Sequence, residues 1–257
     1  MLQFTKAPAS LANGHRIYAI GDVHGCATVL TAMHDLIAKD CAQRPTESVT
    51  IIHLGDYIDR GPDSAGVLDF LIAGPHVPGV RWVNLRGNHE QMALSALYRE
   101  WYGAGLLWLA NGGRATLDSW RVPPGAQRRN WIRHVPALHL RFLEGLELFH
   151  QVGSYLFVHA GLRPGTPLEQ QSAHDLLWIR DSFLFWKGDF GAIVVHGHTP
   201  SAEPVVRPNR IGIDTGLVFG GRLTCVVLES DQLAFLSVQR GARPVQTNAG
   251  FSQPGLP

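Results

Sequence analysis

Cysteine is scarce in this chain: Cys26, Cys41 and Cys225 are the only three, and none is spaced as a CxxC pair. An odd, unpaired set argues against a disulfide framework in an oxidising compartment and makes the cytoplasm the expected location. Net charge is almost absent as well, since 22 Lys and Arg against 21 Asp and Glu leave +1. That balance lacks the basic excess with which proteins hold nucleic acid through its phosphates, so nucleic acid is not an expected partner. Long apolar runs are missing too. Gly or a charge interrupts each one short of membrane-spanning length, and the opening MLQFTKAPASLANGHR has no basic stretch leading into an apolar core. A soluble, unprocessed protein with no membrane partner is expected. No internal repeat is found. What is present is 45% hydrophobic residues over 257 positions, enough to bury one large core.

Apolar, β-branched runs end repeatedly in the same way. Arg16 to Ile20 reads as a strand that stops at GDVHG, Val49 to Leu54 as one that stops at GDYIDRG, and Val80 to Leu85 as one that stops at RGNHE. Between them, Cys26 to about Lys39 has Val29, Leu30, Met33, Leu36 and Ile37 at helical spacing, and Ser64 to Ile72 reads as a second helix with Ser64 as its N-cap. This β-α-β-α-β order favours helices packed on a largely parallel sheet, with ligands beyond the carboxyl ends of the strands. Ser154 to Val158 stops at HAGL and Ala192 to Val195 stops at HGHTP, so five strands deliver polar clusters at corresponding ends. Residues 98–147, with Trp101, Trp108, Trp120 and Trp131, read as a mainly helical insert that caps the domain, its tryptophans serving as core rather than as a substrate cage. Pro204 to Arg207, Leu223 to Glu229 and Leu233 to Gln239 suggest a hairpin-built second sheet. Residues 1–14 are expected to be an N-terminal extension, 15–240 the main domain, and 241–257, rich in Gly, Pro, Asn and Gln, a disordered tail.

The chemistry lies in the strand-end residues taken together: Asp22 and His24 in GDVHG, Asp56 in GDYIDRG, Asn88 in GNHE, His159 in HAG and His198 in HGH. In Asp22-x-His24 two side chains project to one side of an extended turn. Carboxylate, amide oxygen and imidazole together suit Mn, Fe or Zn, whereas an all-oxygen set would suit Ca or Mg. Six candidate ligands with one carboxylate able to bridge fit two divalent ions better than one. Such a pair clamps a phosphoryl group and activates a bound water without a Ser or Cys nucleophile.

GDVHG, GDYIDRG, GNHE, VHAGL and VVHGHTP, in that order over about residues 17–216, resemble the motifs of the metal-dependent phosphoprotein phosphatases, the calcineurin-like metallophosphoesterases with their bacterial and phage lambda members. The resemblance implies an α/β fold, a two-sheet β-sandwich flanked by helices, with residues 15–240 as its catalytic domain. It implies a phosphomonoesterase of the bacterial serine/threonine phosphatase type, using direct attack by metal-activated water on a phosphoprotein or a phosphorylated small molecule. By analogy Asp22, His24 and His198 hold the first metal, Asp56 bridges, and Asn88 and His159 hold the second, with Mn the expected ion and Fe or Zn alternatives. His89 is the general acid, oriented by Asp59, and Arg60 and Arg180 grip the phosphate beside Asn88 and His89. HAG in place of HGG, and HGHTP followed by GIDTG, lean towards the bacterial branch.

Physical reasons stand beside these roles. A guanidinium meets phosphate bidentately where an ammonium cannot, which suits Arg60. Pairing with Asp59 would raise the pKa of His89 and keep it protonated near neutrality. Arg180 has a structural competitor, an ion pair with Asp181 or Asp175. Glu90 is expected to pack or cap, His196 to be structural, Asp214 to hold a turn, and Arg128, Arg129 and Arg133 to form a solvated face. The rival enzyme reading is a symmetrical diadenosine tetraphosphate hydrolase, or a promiscuous nucleotide or cyclic-phosphate phosphoesterase. Those hydrolases typically carry Ala where this chain has Asp59, and GNHD where it has GNHE. A silent phospho-ligand binder is a third reading, but such a protein needs neither His89 nor Asp59. Oligomeric state is not legible in the sequence.

Overall fold

The computed structural model describes residues 2–75, 77 and 79–241. The expected C-terminal tail therefore lies, apart from Gly241, outside the described residues. Eleven strands are described: β1 Thr5–Lys6, β2 His15–Ile20, β3 Ser48–His53, β4 Arg81–Asn84, β5 Phe149–Val152, β6 Tyr155–Val158, β7 Ile193–His196, β8 Val205–Val206, β9 Arg210–Gly212, β10 Arg222–Glu229 and β11 Gln232–Gln239. Helices α1 Ala27–Gln43 and α2 Ser64–Ala73 lie between β2, β3 and β4. Then come α3 Asn88–Tyr98, α4 Ala104–Trp108, α5 Arg114–Ser119, α6 Arg128–Trp131 and α7 Ala137–Glu144, with α8 Ala173–Trp178 and α9 Asp181–Leu184 between β6 and β7.

Two sheets form. The first runs β1-β11-β10-β2-β3-β4, with β2, β3 and β4 parallel and β10 antiparallel to β2. The second runs β5-β6-β7-β9-β8, with β6, β7 and β9 parallel. The parallel trio of the first sheet follows from its β-α-β-α-β order, since parallel neighbours need a crossover. Alternation along each strand then builds the layers. Ile17, Ala19, Ile52 and Leu54 of the first sheet meet Tyr155, Phe157, Val195 and Ile211 of the second between the sheets. Tyr18, Ile20 and Ile51 turn the other way onto Leu30, Met33 and Ile37 of α1 and Val67 and Leu68 of α2. On the far side of the second sheet, Leu156, Val158 and Val194 pack on Leu176, Ile179 and Phe183. This is the expected helix-flanked sandwich. Full burial of side chains such as Phe157 and Leu30 stabilises it by about 1.5–3 kcal/mol each.

Several local expectations are corrected. Asp63, not Ser64, caps α2, its side chain accepting from Gly66 N at 2.8 Å. Ser64 instead faces inward, its Oγ accepting from Asp59 N at 3.1 Å. The three late β pieces do not share one sheet: β10 and β11 pair as a hairpin that joins the first through β2, and only Val205–Val206 joins the second. Hydrophobic alternation specifies a face, not a neighbour, so the assignment of those strands was tertiary. The first fourteen residues supply β1, which pairs with β11, and Ala7 and Leu11 enter the inter-sheet core. Arg128 is no solvated side chain, because it donates to the carbonyls of Ser95, Ala96, Trp101 and Tyr102 around the end of α3. Among the described residues no helix is long and apolar enough to cross a membrane.

Candidate functional site

Five strands, β2, β3 and β4 of one sheet and β6 and β7 of the other, release their chains at one edge of the sandwich, and the side chains just beyond them meet. Asp56 lies at the centre. His24 Nε2 is 3.6 Å from its Oδ2, His159 Nε2 is 3.4 Å from its Oδ1, and His89 Nε2 is 3.9 Å from its Oδ2. The backbone pays a conformational cost there: among eight described non-glycine residues with positive φ, five are His24, Asp56, Asp59, Arg60 and His198. Left-handed backbone costs such residues roughly 1–2 kcal/mol each, and strain of this kind persists where the surrounding fold over-determines it. Glycine is obligatory where those turns touch. A Cβ on Gly61 would fall on the His24 carbonyl oxygen, and one on Gly87 would strike the Asp56 carboxylate and backbone nitrogen.

The side chains form two groups that share Asp56, namely His24, Asp56 and His89, and Asp56, His159 and His198. His24 Nδ1 is 2.9 Å from the Ile58 carbonyl and His159 Nδ1 is 2.9 Å from the Leu54 carbonyl, so each donates there and turns an Nε2 lone pair inward. The Asn88 carboxamide lies 2.9 Å from His159 Nε2 and 3.0 Å from His198 Nδ1. With its oxygen inward, the amide faces the lone pair of His159 Nε2, a contact that a cation at both atoms would reconcile; turned over, its NH2 lies within bonding distance of both rings and of Asp56. Burial drives His24 and His198 down to about 3 and lowers His159 as well, so all three rings are neutral at physiological pH. Burial alone would raise Asp56, but His159, His89 and His24 hold it below the usual carboxylate range. Neutral imidazole, carboxamide and carboxylate donors of this kind fit divalent cations.

His198 differs from expectation. Its ring joins Asn88 and His159, not His24, and only its backbone meets Asp22, the nitrogen donating to the carboxylate at 3.1 Å. Its backbone is left-handed there, with φ 64°. Asp22 stands beside the two groups and belongs to neither. Burial, with Asp214 and Asp56 nearby, pushes its carboxyl well up, a penalty that a bound cation would reverse.

His89 and Asp59 form a second unit. His89 Nδ1 is 2.7 Å from Asp59 Oδ2, and the carboxylate also accepts from Trp108 Nε1 at 2.9 Å and from Thr116 Oγ at 2.6 Å. Burial lowers His89, but the Asp56 charge and the Asp59 bond outweigh it and the net shift is upward. Burial likewise raises Asp59 against its three donors, so the pair retains a proton near neutrality. Trp108 and Thr116 were missed in the sequence; the buried indole N–H needs a partner, but no spacing shows which. The insert is thus core that also reaches the cluster: Trp108, Trp120 and Trp131 are buried, and Trp108 bonds the Asp59 carboxylate.

Two exposed guanidiniums edge the cluster. Arg60 Nη1 is 2.8 Å from His24 Nε2, and Arg180 Nε is 3.2 Å from His198 Nε2. Neither acid proposed as a partner for Arg180 pairs with it, and Asp175 is taken by Arg163 at 2.7 Å. Arg60 also lies 5.2 Å from the ring centroid of Phe219, another residue without a sequence signal. Glu90 caps, accepting from the backbone nitrogens of Gly87, Asp56 and Tyr57 at 2.8 Å each. Asp214 holds its turn through Gly216 N, and His196 lies behind the site against Phe183.

Residues 15–233 match the model of the calcineurin-like phosphoesterases. The serine/threonine-protein phosphatase 1 of Salmonella typhimurium is 31% identical over 82% of this chain and 91% of its own. An asymmetrical bis(5'-nucleosyl)-tetraphosphatase of Anoxybacillus flavithermus is 28% identical over 80% of this chain and 88% of its own. Among solved structures, a candidate diadenosine tetraphosphatase superposes with a TM-score of 0.63 at 21% identity, covering 91% of this chain and 100% of the other. A cold-active protein-tyrosine phosphatase of Shewanella does so with 0.56 at 17%, over 89% and 80%. At such identities the structural likenesses speak for the fold alone.

Proposed function

The chain belongs to the calcineurin-like phosphoesterase family of metal-dependent hydrolases, and from that premise we propose that it is a dinuclear phosphomonoesterase of the serine/threonine protein phosphatase type. Asp56 would bridge two divalent ions, with Asp22 and His24 on one side and Asn88, His159 and His198 on the other; Mn is the expected ion, with Fe or Zn as alternatives. Bound there, the ions would supply positive charge to the phosphoryl oxygens and lower the pKa of a water. Arg60 and Arg180, exposed on either side of the cluster, would each hold phosphoryl oxygens. His89 would carry its proton on Nε2, facing the site, and release it to the departing alkoxide oxygen, while Asp59 steadies the ring from Nδ1.

The observation that carries this reading is the 2.7 Å bond between His89 and Asp59, locked by Trp108 and Thr116. An alkoxide leaving group from a phosphoserine or phosphothreonine is a strong base and needs a proton, whereas a nucleotide phosphate leaves as a weaker one. The tetraphosphatase names among the relatives favour a second reading, hydrolysis of a bis-nucleoside polyphosphate. Phosphate release by Mn-loaded protein from a phosphothreonine peptide and from diadenosine tetraphosphate, each with a chelated control, separates the two. Faster metal-dependent release from the peptide supports the phosphatase; much faster cleavage of the dinucleotide overturns it.

A further inference from the structure

Behind the site, on the outer face of the second sheet, lies a cleft of about 870 Å³ between α9, the loop after it, and the β8–β9 turn. None of the metal-centre side chains lines it. Its walls carry Lys187, Arg207 and Arg210 and, among the described residues, no carboxylate. Arg210 is the telling residue. It is 8% exposed, and its guanidinium meets only neutral groups, His196 Nε2 at 3.3 Å and the Leu184 carbonyl at 3.2 Å. No described carboxylate is within ion-pair distance of Arg210, Arg207 or Lys187, although the other buried arginine among the described residues, Arg16, is matched by Glu229. A guanidinium taken out of water without a counter-charge is costly, and an anion in the cleft would offset that cost. The lining is also aromatic: Phe185 is 76% and Trp186 43% exposed. Trp186 is nevertheless fixed, because Asn209 Nδ2 donates to the carbonyls of Trp186 at 3.0 Å and Gly188 at 2.8 Å, and its ring lies on Gly188 where a Cβ would not fit. A cleft of this size suits a small ligand rather than a peptide strand.

We propose that this cleft is a nucleoside-phosphate binding site separate from the metal centre, with phosphates on Lys187, Arg207 and Arg210 and the base against Trp186 and Phe185. Arginine and lysine together with a fixed aromatic in one cleft match the two halves of a nucleotide, whereas inorganic phosphate would leave the aromatics unused. The test is calorimetric titration of the full chain, kept in chelator, with ADP, adenosine and inorganic phosphate in turn. ADP should bind at one site per chain without metal, each fragment more weakly. Affinity should fall roughly tenfold or more in Arg207→Ala and in Lys187→Ala, both exposed positions whose loss leaves the thermal midpoint unchanged. It should be unaffected in Arg60→Ala and Arg180→Ala, which reports on the metal centre. The proposal fails if ADP gives no binding up to about 1 mM. It also fails if binding is lost in Arg60→Ala but kept in Arg207→Ala, or if inorganic phosphate or adenosine binds as tightly as ADP.

Discussion

At the start of β2, Arg16 is 1% exposed and gives its guanidinium to Glu229 at 2.7 and 3.0 Å, while Arg44 bonds both Glu229 at 2.6 Å and Asp40 at 2.5 and 2.8 Å, and Tyr18 donates to Asp40. Two cations meet two anions, and burial is compensated within the fold. Just past the other end of the same strand, Asp22, Asp56, Glu90 and Asp214 are buried as closely, and the rings among them are held neutral by burial. Burial raises Glu90 to about 7 and Asp214 to about 6, with the Asp56 charge adding to both. One end of the sheet is electrostatically finished and the other is complete only with cations. Buried charge therefore serves stability where its partner is in the chain, and function where the partner must come from outside.

Substitutions at the two ends should separate along that line. Asp56→Asn should have the largest effect, removing metal content and turnover together, with kcat down on the order of 10³-fold; metal analysis beside a rate assay checks it, and a fully loaded but inactive variant would contradict the bridging role. Asp59→Asn should lower kcat by roughly 10²-fold while bound metal stays near two per chain, since it acts on the acid and not on the ions. Equal losses of metal and rate would show Asp59 to be part of the ligand shell. At the other end, Arg16→Met should cost about 3 kcal/mol of stability in a urea melt with kcat unchanged for the folded fraction.

The same network carries a pH dependence. Burial works against Asp40, but bonds from Arg44 and Tyr18 depress its folded pKa below 3.8; Glu229, half-buried, is held below 4.5 by Arg16 and Arg44. A depressed carboxyl contributes stability that is complete above its unfolded pKa and is lost as pH falls through the folded value. Acid titration of thermal midpoints should therefore show Arg16→Met destabilised relative to the parent at neutral pH, the difference narrowing below about pH 4. The smallest effect is expected for Trp108→Phe, which keeps the packing and removes one donor to Asp59. A loss of roughly tenfold in kcat with KM unchanged would sharpen the distinction between acid and ligand shells.

Much of the functional end was legible because its residues sit at strand ends within five short motifs. Glycine spacing, Asp-x-His and Asn-His are local facts that survive without coordinates. Which group the His198 ring joins was not legible, because its neighbours Asn88 and His159 are 110 and 39 positions away in the chain. Trp108, Thr116 and Phe219 carried no signal at all: their partners Asp59 and Arg60 are 49, 57 and 159 positions away in the chain. Arg128 and Ser64 were misread for the same reason, being polar residues whose partners are far in sequence or on the inner side of a turn.

The sequence by itself determined the parallel β-α-β core, the strand-end positions of Asp22, His24, Asp56, Asn88, His89, His159 and His198, and the family to which such an ordered set belongs. Periodicity and short-range spacing are properties of the chain, and those conclusions needed nothing more. Tertiary structure alone decided how the late strands divide between the sheets, which group His198 joins, what holds Asp59 and that the charge at one end of β2 is matched within the fold. Each of these is a contact between residues distant in sequence, and such contacts exist only once the sheets have packed.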